Sequence, residues 1–216
     1  MPVYRNEERE IVPPKKEKIL MLIAEAYKTT STKIRLSMET GLRPVELLSL
    51  KVKDVDLTQN IIYPITAKHG APRKLKISNS LSARIQEYII KRRLQQDEQL
   101  FKGTSHRYGN EFREVRNRLA KKLNDESIKT VRLYDLRHYF ATTEYIKTKD
   151  LKHVQYLMGH KFSNTTDKYT HVLDCNAEEE YTVKVAKTLQ EATDLIEHGF
   201  QYITEMEGLK IFKKRK

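Results

Sequence analysis

The chain of 216 residues has a single cysteine, Cys175, so it cannot close a disulfide within itself or build a multi-cysteine zinc or iron–sulfur site. A lone thiol nucleophile stays open. Long apolar runs are missing too: the longest, 19–24, is six residues, against the roughly 20 that cross a bilayer. The start of the chain has no secretory signal pattern. A soluble, cytoplasmic chain with no membrane partner is expected. There is no Gly-x-x-x-x-Gly-Lys-Ser/Thr loop, no His-Glu-x-x-His and no Gly-x-Ser-x-Gly, which removes the usual signatures of nucleotide hydrolysis, zinc proteolysis and serine hydrolysis. No internal repeat is present.

Negative charge is in short supply. Lys and Arg number 41 against 29 Asp and Glu, a net charge of +12, yet 38% hydrophobic residues suffice for a packed core. The excess is uneven: 1–169 holds 34 basic and 20 acidic residues, whereas 170–216 holds 7 and 9. A basic body of this kind points to a polyanion such as nucleic acid, although a lysine-rich soluble surface has the same composition.

Pro13-Pro14 separates a charged arm, 1–14, from an apolar-periodic stretch, 19–27, that predicts the first helix. A second helix over 32–39 should end at Gly41, a residue suited to the left-handed cap. Pro44 fits the first turn of a third helix, which puts Arg43 at its N-terminus. Segments 60–65 and 74–78 read as a hairpin around the loop 67–73. Helices are predicted at 80–96, 108–123, 136–147 and 150–157. In the tail, apolar residues at helical spacing predict one helix over 178–197, packed either on its own body or on a neighbouring protomer, followed by a hairpin turning at Glu207-Gly208. The fold class is mainly α with a small antiparallel β-sheet.

Four segments have unusual local chemistry: Thr40-Gly41-Leu42-Arg43-Pro44-Val45-Glu46-Leu47, Tyr134-Asp135-Leu136-Arg137-His138, Leu157-Met158-Gly159-His160, and Thr165-Thr166-Asp167-Lys168-Tyr169-Thr170-His171-Val172. Two arginines, a histidine and a tyrosine stand beside helix ends, where unpaired N–H groups and guanidinium forks suit phosphate oxygens. In this order and at these separations the segments closely resemble the catalytic domain of the tyrosine recombinase (phage integrase) family, of the Xer and Cre kind, over about 12–172.

The resemblance implies that Arg43 and Arg137 clamp a phosphate, that His160 donates a hydrogen bond near it, and that Tyr169 is the nucleophile, with Tyr181 a distant rival. Glu46 matches the acidic residue supporting the first arginine. Lys68 matches the lysine of the hairpin loop, with Lys74 as fallback. Tyr134 stands where most members carry histidine, and is read either as a packing residue or as an active-site donor. His69, His138 and His171 are read as structural or surface residues. The domain reading is an arm (1–14), a catalytic domain (15–175) and a tail (176–216), with the family's separate N-terminal core-binding domain absent. The closing hairpin and basic end are similar to archaeal integrases.

These roles are chemically coherent. Transesterification at a phosphodiester builds negative charge that two guanidiniums and an imidazole can neutralise without a metal. A tyrosine of ordinary pKa, about 10, needs surrounding positive charge to attack as phenolate. Lysine can protonate the leaving oxygen. A covalent phosphotyrosine conserves the bond energy, so no cofactor or ATP is expected. The implied partners are double-stranded DNA and further copies of the chain, as a tetramer in synapsis. The other readings are a catalytically inactive module, with 150–169 as helix-turn-helix, and a topoisomerase-like enzyme with the same chemistry.

Overall fold

The computed structural model describes residues 12–65, 72–160, 181–206 and 208–215. The chain divides into two compact units, Met1–Leu173 and Asp174–Lys216.

In the first unit α1 (Lys16–Glu25) buries Ile19 and Leu22. Next comes α2 (Lys28–Thr40), whose sequence is unusually polar for its position: Thr30, Ser31, Thr32, Lys33, Ser37 and Thr40 are buried alongside Ile34 and Leu36. Burying such groups is tolerable only where each finds a partner. The hydroxyls of Ser31, Thr32 and Thr40 donate to the carbonyls of Ile23, Lys28 and Leu36 at 2.8, 2.8 and 2.5 Å. Ser37 shares a hydrogen bond of 3.1 Å with Tyr108, and Lys33 pairs with Glu111. So α2 is a central helix held by polar contacts where an apolar stripe would be expected.

Gly41 ends α2 in the left-handed conformation (φ 62°). Glycine is needed for space as well, since a Cβ there would lie 3.0 Å from Phe140 Cγ. Pro44 then opens α3 (Pro44–Ser49) with Arg43 as N-cap residue, as the sequence predicts. After a 3-10 turn come β1 (Val55–Asp56), β2 (Ile61–Ile62) and β3 (Leu75–Lys76), an antiparallel sheet in that order with Ile62 opposite both Val55 and Leu75. The hairpin expected from 60–65 and 74–78 is this β2–β3 pair; β1 is an added strand too short to show a period.

Four more α-helices follow among the described residues of this unit: α4 (Asn79–Arg92), α5 (Ser105–Leu123), α6 (Asp135–Thr148) and α7 (Leu151–Met158). Ser78, Thr104 and Asp150 cap α4, α5 and α7 by accepting from backbone N–H groups of the first turn. One core joins α1 to α5 and the sheet, and a smaller cluster of Phe140, Ala141, Val154 and Met158 locks α6 to α7.

The second unit holds β4 (Tyr181–Ala186), α8 (Leu189–Glu197), β5 (Gln201–Met206) and β6 (Leu209–Arg215), with strand order β4-β6-β5. This corrects the single helix expected over 178–197. Val183 and Val185 stand two apart on a strand, and the helix starts only after Thr188, whose hydroxyl accepts from the Glu191 N–H. Within its own unit α8 packs on the sheet, around Ala186, Ala192, Phe200 and Phe212. The hairpin after Gly199 is formed as expected. Among the described residues no helix is long and apolar enough to cross a membrane.

Candidate active site

Arg43 is placed by the start of α3. Its backbone N–H donates to Glu46 Oε2 at 3.0 Å and its Nη1 donates to Glu46 Oε1 at 3.0 Å. Glu46 is buried, and burial alone would raise its pKa; the Arg43 backbone N–H and the Arg73 and Arg43 guanidiniums outweigh it and hold the carboxyl below its ordinary value. The Arg43 side chain keeps 27% of its surface exposed. Its other guanidinium nitrogens have no hydrogen-bond partner among the described residues, so one face of the fork is presented outward.

Arg137 sits in the first turn of α6 and is buried. Nη1 donates to the Gly41 carbonyl at 2.5 Å and Nη2 to the Met158 carbonyl at 2.6 Å. Both carbonyls belong to helix C-termini, those of α2 and α7, which carry partial negative charge and lack intrahelical partners. One guanidinium thereby fixes the turn leading to Arg43 and the turn leading to His160. Nη2 also lies 3.0 Å from His160 Nε2.

His160 follows Gly159, which ends α7 at φ 61°. The His160 imidazole is pushed down to about 4, first by burial and then by Arg137, Arg43 and Arg73, with Glu46 opposing them. At neutral pH it is therefore uncharged. Arg43, Glu46, Arg137 and His160, drawn from three separated sequence segments, thus form one electrostatically coupled group.

A fifth member escaped the sequence reading. Arg73 is buried with its Nη2 2.7 Å from Glu46 Oε2. The signal was present: the buried residues Leu75 and Ile77 alternate with exposed neighbours, and carrying that period back two residues puts Arg73 inward. Lys74 faces out, its Nζ 5.8 Å from the Tyr63 ring centroid, while its backbone N–H donates to the Tyr156 hydroxyl at 3.2 Å. The exit of the hairpin loop is therefore held to α3 by Arg73 and to α7 by Lys74.

Tyr134 precedes α6 and is 47% exposed, its ring meeting His138 edge-on at 5.0 Å between centroids. Its hydroxyl has no partner among the described residues. His138, half-buried, has its pKa lowered by burial against the opposing pull of Asp135. Lys68, His69, Tyr169 and His171 lie outside the described residues. The Tyr181 backbone is part of β4, in the second unit. Among the described residues no three of His, Cys, Asp and Glu come together as a metal site.

Residues 12–175 match the phage integrase family. Tyrosine recombinase XerA of Saccharolobus solfataricus is 34% identical over 161 residues, 74% of this chain and 52% of that protein. Tyrosine recombinase XerC of Herpetosiphon aurantiacus is 32% identical over 62% of this chain and 44% of its own length. The chain thus spans about half the length of these curated relatives. Among solved structures, a XerA recombinase superposes with a TM-score of 0.64 at 22% identity, covering 91% of this chain and 67% of that one. The Tn1549 transposon integrase, in complex with transposon right end DNA, gives 0.67 at 20% identity over 91% and 68%. These two likenesses bear on the fold alone, which is the same mainly helical arrangement. Family match, sequence identity and the guanidinium–imidazole group beside Gly41 and Gly159 agree, and the chain belongs to the phage integrase family of tyrosine recombinases.

Proposed function

We propose that this chain cuts and rejoins double-stranded DNA through a covalent 3′-phosphotyrosine formed on Tyr169. The observation that carries the reading is the meeting of Arg43, Arg137 and His160. Segments more than 90 residues apart converge on a small region that holds two guanidiniums and a neutral imidazole. Such preorganised donors offset charge growing on phosphate oxygens, where they act more strongly than in water.

In the cleavage step the Tyr169 phenolic oxygen attacks phosphorus and gives its proton to water, a P–O bond to tyrosine forms, and the bond to the 5′ oxygen breaks. Lys68 supplies the proton to that leaving oxygen. Attack by the 5′ hydroxyl of another strand reverses the step, releases tyrosine and leaves a recombined phosphodiester. Atoms and charge balance without metal, cofactor or ATP. The site residues in this scheme are Arg43, Lys68, Arg137, His160 and Tyr169, with Tyr134 as an additional donor and Glu46 as support for Arg43. Two strand exchanges between duplexes call for four copies, so a tetramer on DNA is part of the proposal, and the working place of the protein is the nucleoid in the cytoplasm.

A DNA-binding module without catalysis is disfavoured by the relatives XerA and XerC, both named tyrosine recombinases, at 34% and 32% identity. The test is incubation of the chain with a nicked suicide duplex, which traps a covalent protein–DNA band. Tyr169→Phe should abolish the band and leave duplex affinity nearly unchanged. A band that persists in Tyr169→Phe overturns the nucleophile assignment, and no band from the unaltered chain on any duplex overturns the reading itself.

A further inference from the structure

Arg73 poses a physical problem. Its side chain and that of Glu46 have no exposed surface at all. Taking both charges out of water costs several kcal/mol each, so a buried ion pair is poor evidence of a stabilising role. Arg73 also leaves Nε and Nη1 buried with no hydrogen-bond partner among the described residues, and an unmade buried hydrogen bond is costly in itself. A hydrophobic side chain of similar length would fill the same space more cheaply.

The geometry around Glu46 suggests what the charge is for. Oε1 is occupied by Arg43 Nη1, while Oε2 receives both the Arg43 backbone N–H and Arg73 Nη2. Were Arg43 the only cation at this carboxylate, the two would form a neutral pair. An approaching phosphate would then meet a guanidinium whose field is largely cancelled by the anion directly behind it. With Arg73 on the inner side, the carboxylate is already balanced, and Arg43, Glu46 and Arg73 together carry one net positive charge. Arg43 is the partly exposed member, so that charge is presented where a ligand can reach it.

The same guanidinium supports the other side of the site. A Cβ built on Gly159 would lie 2.9 Å from Arg73 Cζ and closer still to Nη1, so the guanidinium of Arg73 lies against the turn immediately before His160. Arg73 therefore touches the supports of two phosphate-facing residues without facing the reacting atoms itself.

We infer that Arg73 is a positioning residue for strand transfer, whose buried guanidinium balances Glu46 so that Arg43 keeps its full charge for the scissile phosphate, and braces the Gly159 turn that carries His160. The inference rests on the strand-transfer reading above for its kinetic consequences only.

Three variants of the full chain separate charge balance from simple packing. Arg73→Met keeps a long stem without charge, Arg73→Lys keeps the charge, and the double variant Arg73→Met with Glu46→Gln removes both charges together. Single-turnover cleavage of the nicked duplex should fall by about 100-fold or more in Arg73→Met, in line with loss of a major electrostatic contribution. Arg73→Lys should stay within about 10-fold of the unaltered chain, and the double variant should recover at least about 10-fold over Arg73→Met. A purely structural Arg73 gives the opposite order: lysine no better than methionine, and the double variant no better than the single.

A second readout needs no catalysis. Among the described residues, the charged groups bearing on His160 are Arg137, Arg43, Arg73 and Glu46. Titrating the His160 ring by NMR should show its pKa raised in Arg73→Met, unchanged in Arg73→Lys, and largely restored in the double variant. If Arg73→Met fails to fold, the lysine and double variants carry both readouts. A His160 titration that none of the variants moves in this pattern overturns the inference. Absence of any covalent adduct from the unaltered chain, with the titration moving as stated, overturns the strand-transfer reading and leaves the charge balance standing.

Discussion

Arg137 Nη2 lies 3.0 Å from His160 Nε2, and because a guanidinium nitrogen can only donate, this contact requires a neutral imidazole with its proton on Nδ1. The short distance and the low pKa of about 4 are thus two views of one arrangement.

That arrangement makes the fold acid-sensitive in a definable window. An unfolded chain takes up the histidine proton near pH 6.5, the folded chain only near 4. The contribution of His160 is therefore complete above about pH 6.5, declines as pH falls because the unfolded state binds the proton first, and is gone at about 4. It amounts to roughly 3 kcal/mol. Glu46, whose carboxyl is held below its ordinary value of 4.5, adds a contribution that is lost as pH falls below that value. Urea unfolding of the native chain and of His160→Gln at several pH values should give a steep slope for the first and a flatter one for the second between 6.5 and 4. Identical slopes would refute the assignment.

Tyr134 is set up differently. Its hydroxyl has no partner to lose among the described residues, and its ring rests on His138, so Tyr134→Phe should change stability by no more than about 0.5 kcal/mol. Cleavage should nevertheless fall by about 10- to 100-fold if the phenol donates to the phosphate in the transition state. Lys68→Ala should lose considerably more, and Tyr134→His should keep activity, because imidazole also donates. Single-turnover rates decide the matter: an unchanged rate in Tyr134→Phe makes the residue a packing ring.

Much of the site was legible because it is built on helix ends. Gly41, Pro44 and Gly159 are residues whose backbone preferences announce a cap or a first turn, and each brings Arg43 or His160 to the end of a helix. What could not be read came from pairings with no local signature. α2 looks like a weak amphipathic helix because most of its buried side chains are Thr, Ser and Lys, with Thr32 and Thr40 bonded to carbonyls of α2 itself and Thr30, Ser31, Lys33 and Ser37 to partners on α1 and α5. β1 is two residues long. In the tail, Val183 and Val185 stand two apart, which is the strand period, but Val183 and Ala186, and Val185 and Leu189, also fall at helical spacing, so the apolar residues after Thr188 extend the helical register backwards over a strand. Arg73 has only a weak signal: the alternation of Leu75 and Ile77 carried back two residues turns it inward, but a charged residue at the end of a loop is ordinarily solvated, and its partner Glu46 lies 27 residues away.

The tail has a core of its own, with Phe212 buried against Ala186, Ala192 and Phe200, whereas the clusters of the first unit are built among the described residues from Ile19 to Met158 alone. Phe212→Ala should cost about 3–5 kcal/mol, enough to unfold so small a unit. Calorimetry should show the transition of the larger unit unmoved. Truncation after Cys175 should likewise leave single-strand cleavage intact and prevent tetramers on DNA, as read by gel mobility. Collapse of the larger unit on truncation would show that it depends on the tail for its fold.

Gly159→Ala tests how closely the turn before His160 is fitted. Two costs combine there: a left-handed conformation at φ 61°, about 1–2 kcal/mol for a residue with a Cβ, and a clash with the Arg73 guanidinium, whose Cζ would be 2.9 Å from the new methyl. Overpacking of this kind adds about 1–3 kcal/mol, and Arg73 has little room to yield while it is tied to Glu46. Alanine should therefore destabilise the protein by about 2–5 kcal/mol and lower cleavage, because His160 moves with the turn. The two costs separate in a double-mutant cycle. Combined with Arg73→Met, which removes Nη1 and Cζ, the alanine should cost at least about 1 kcal/mol less than it does alone, leaving only the backbone strain. Additive effects within about 0.5 kcal/mol would mean that the turn accommodates the methyl without touching Arg73, and that the two residues are neighbours in space but not in energy.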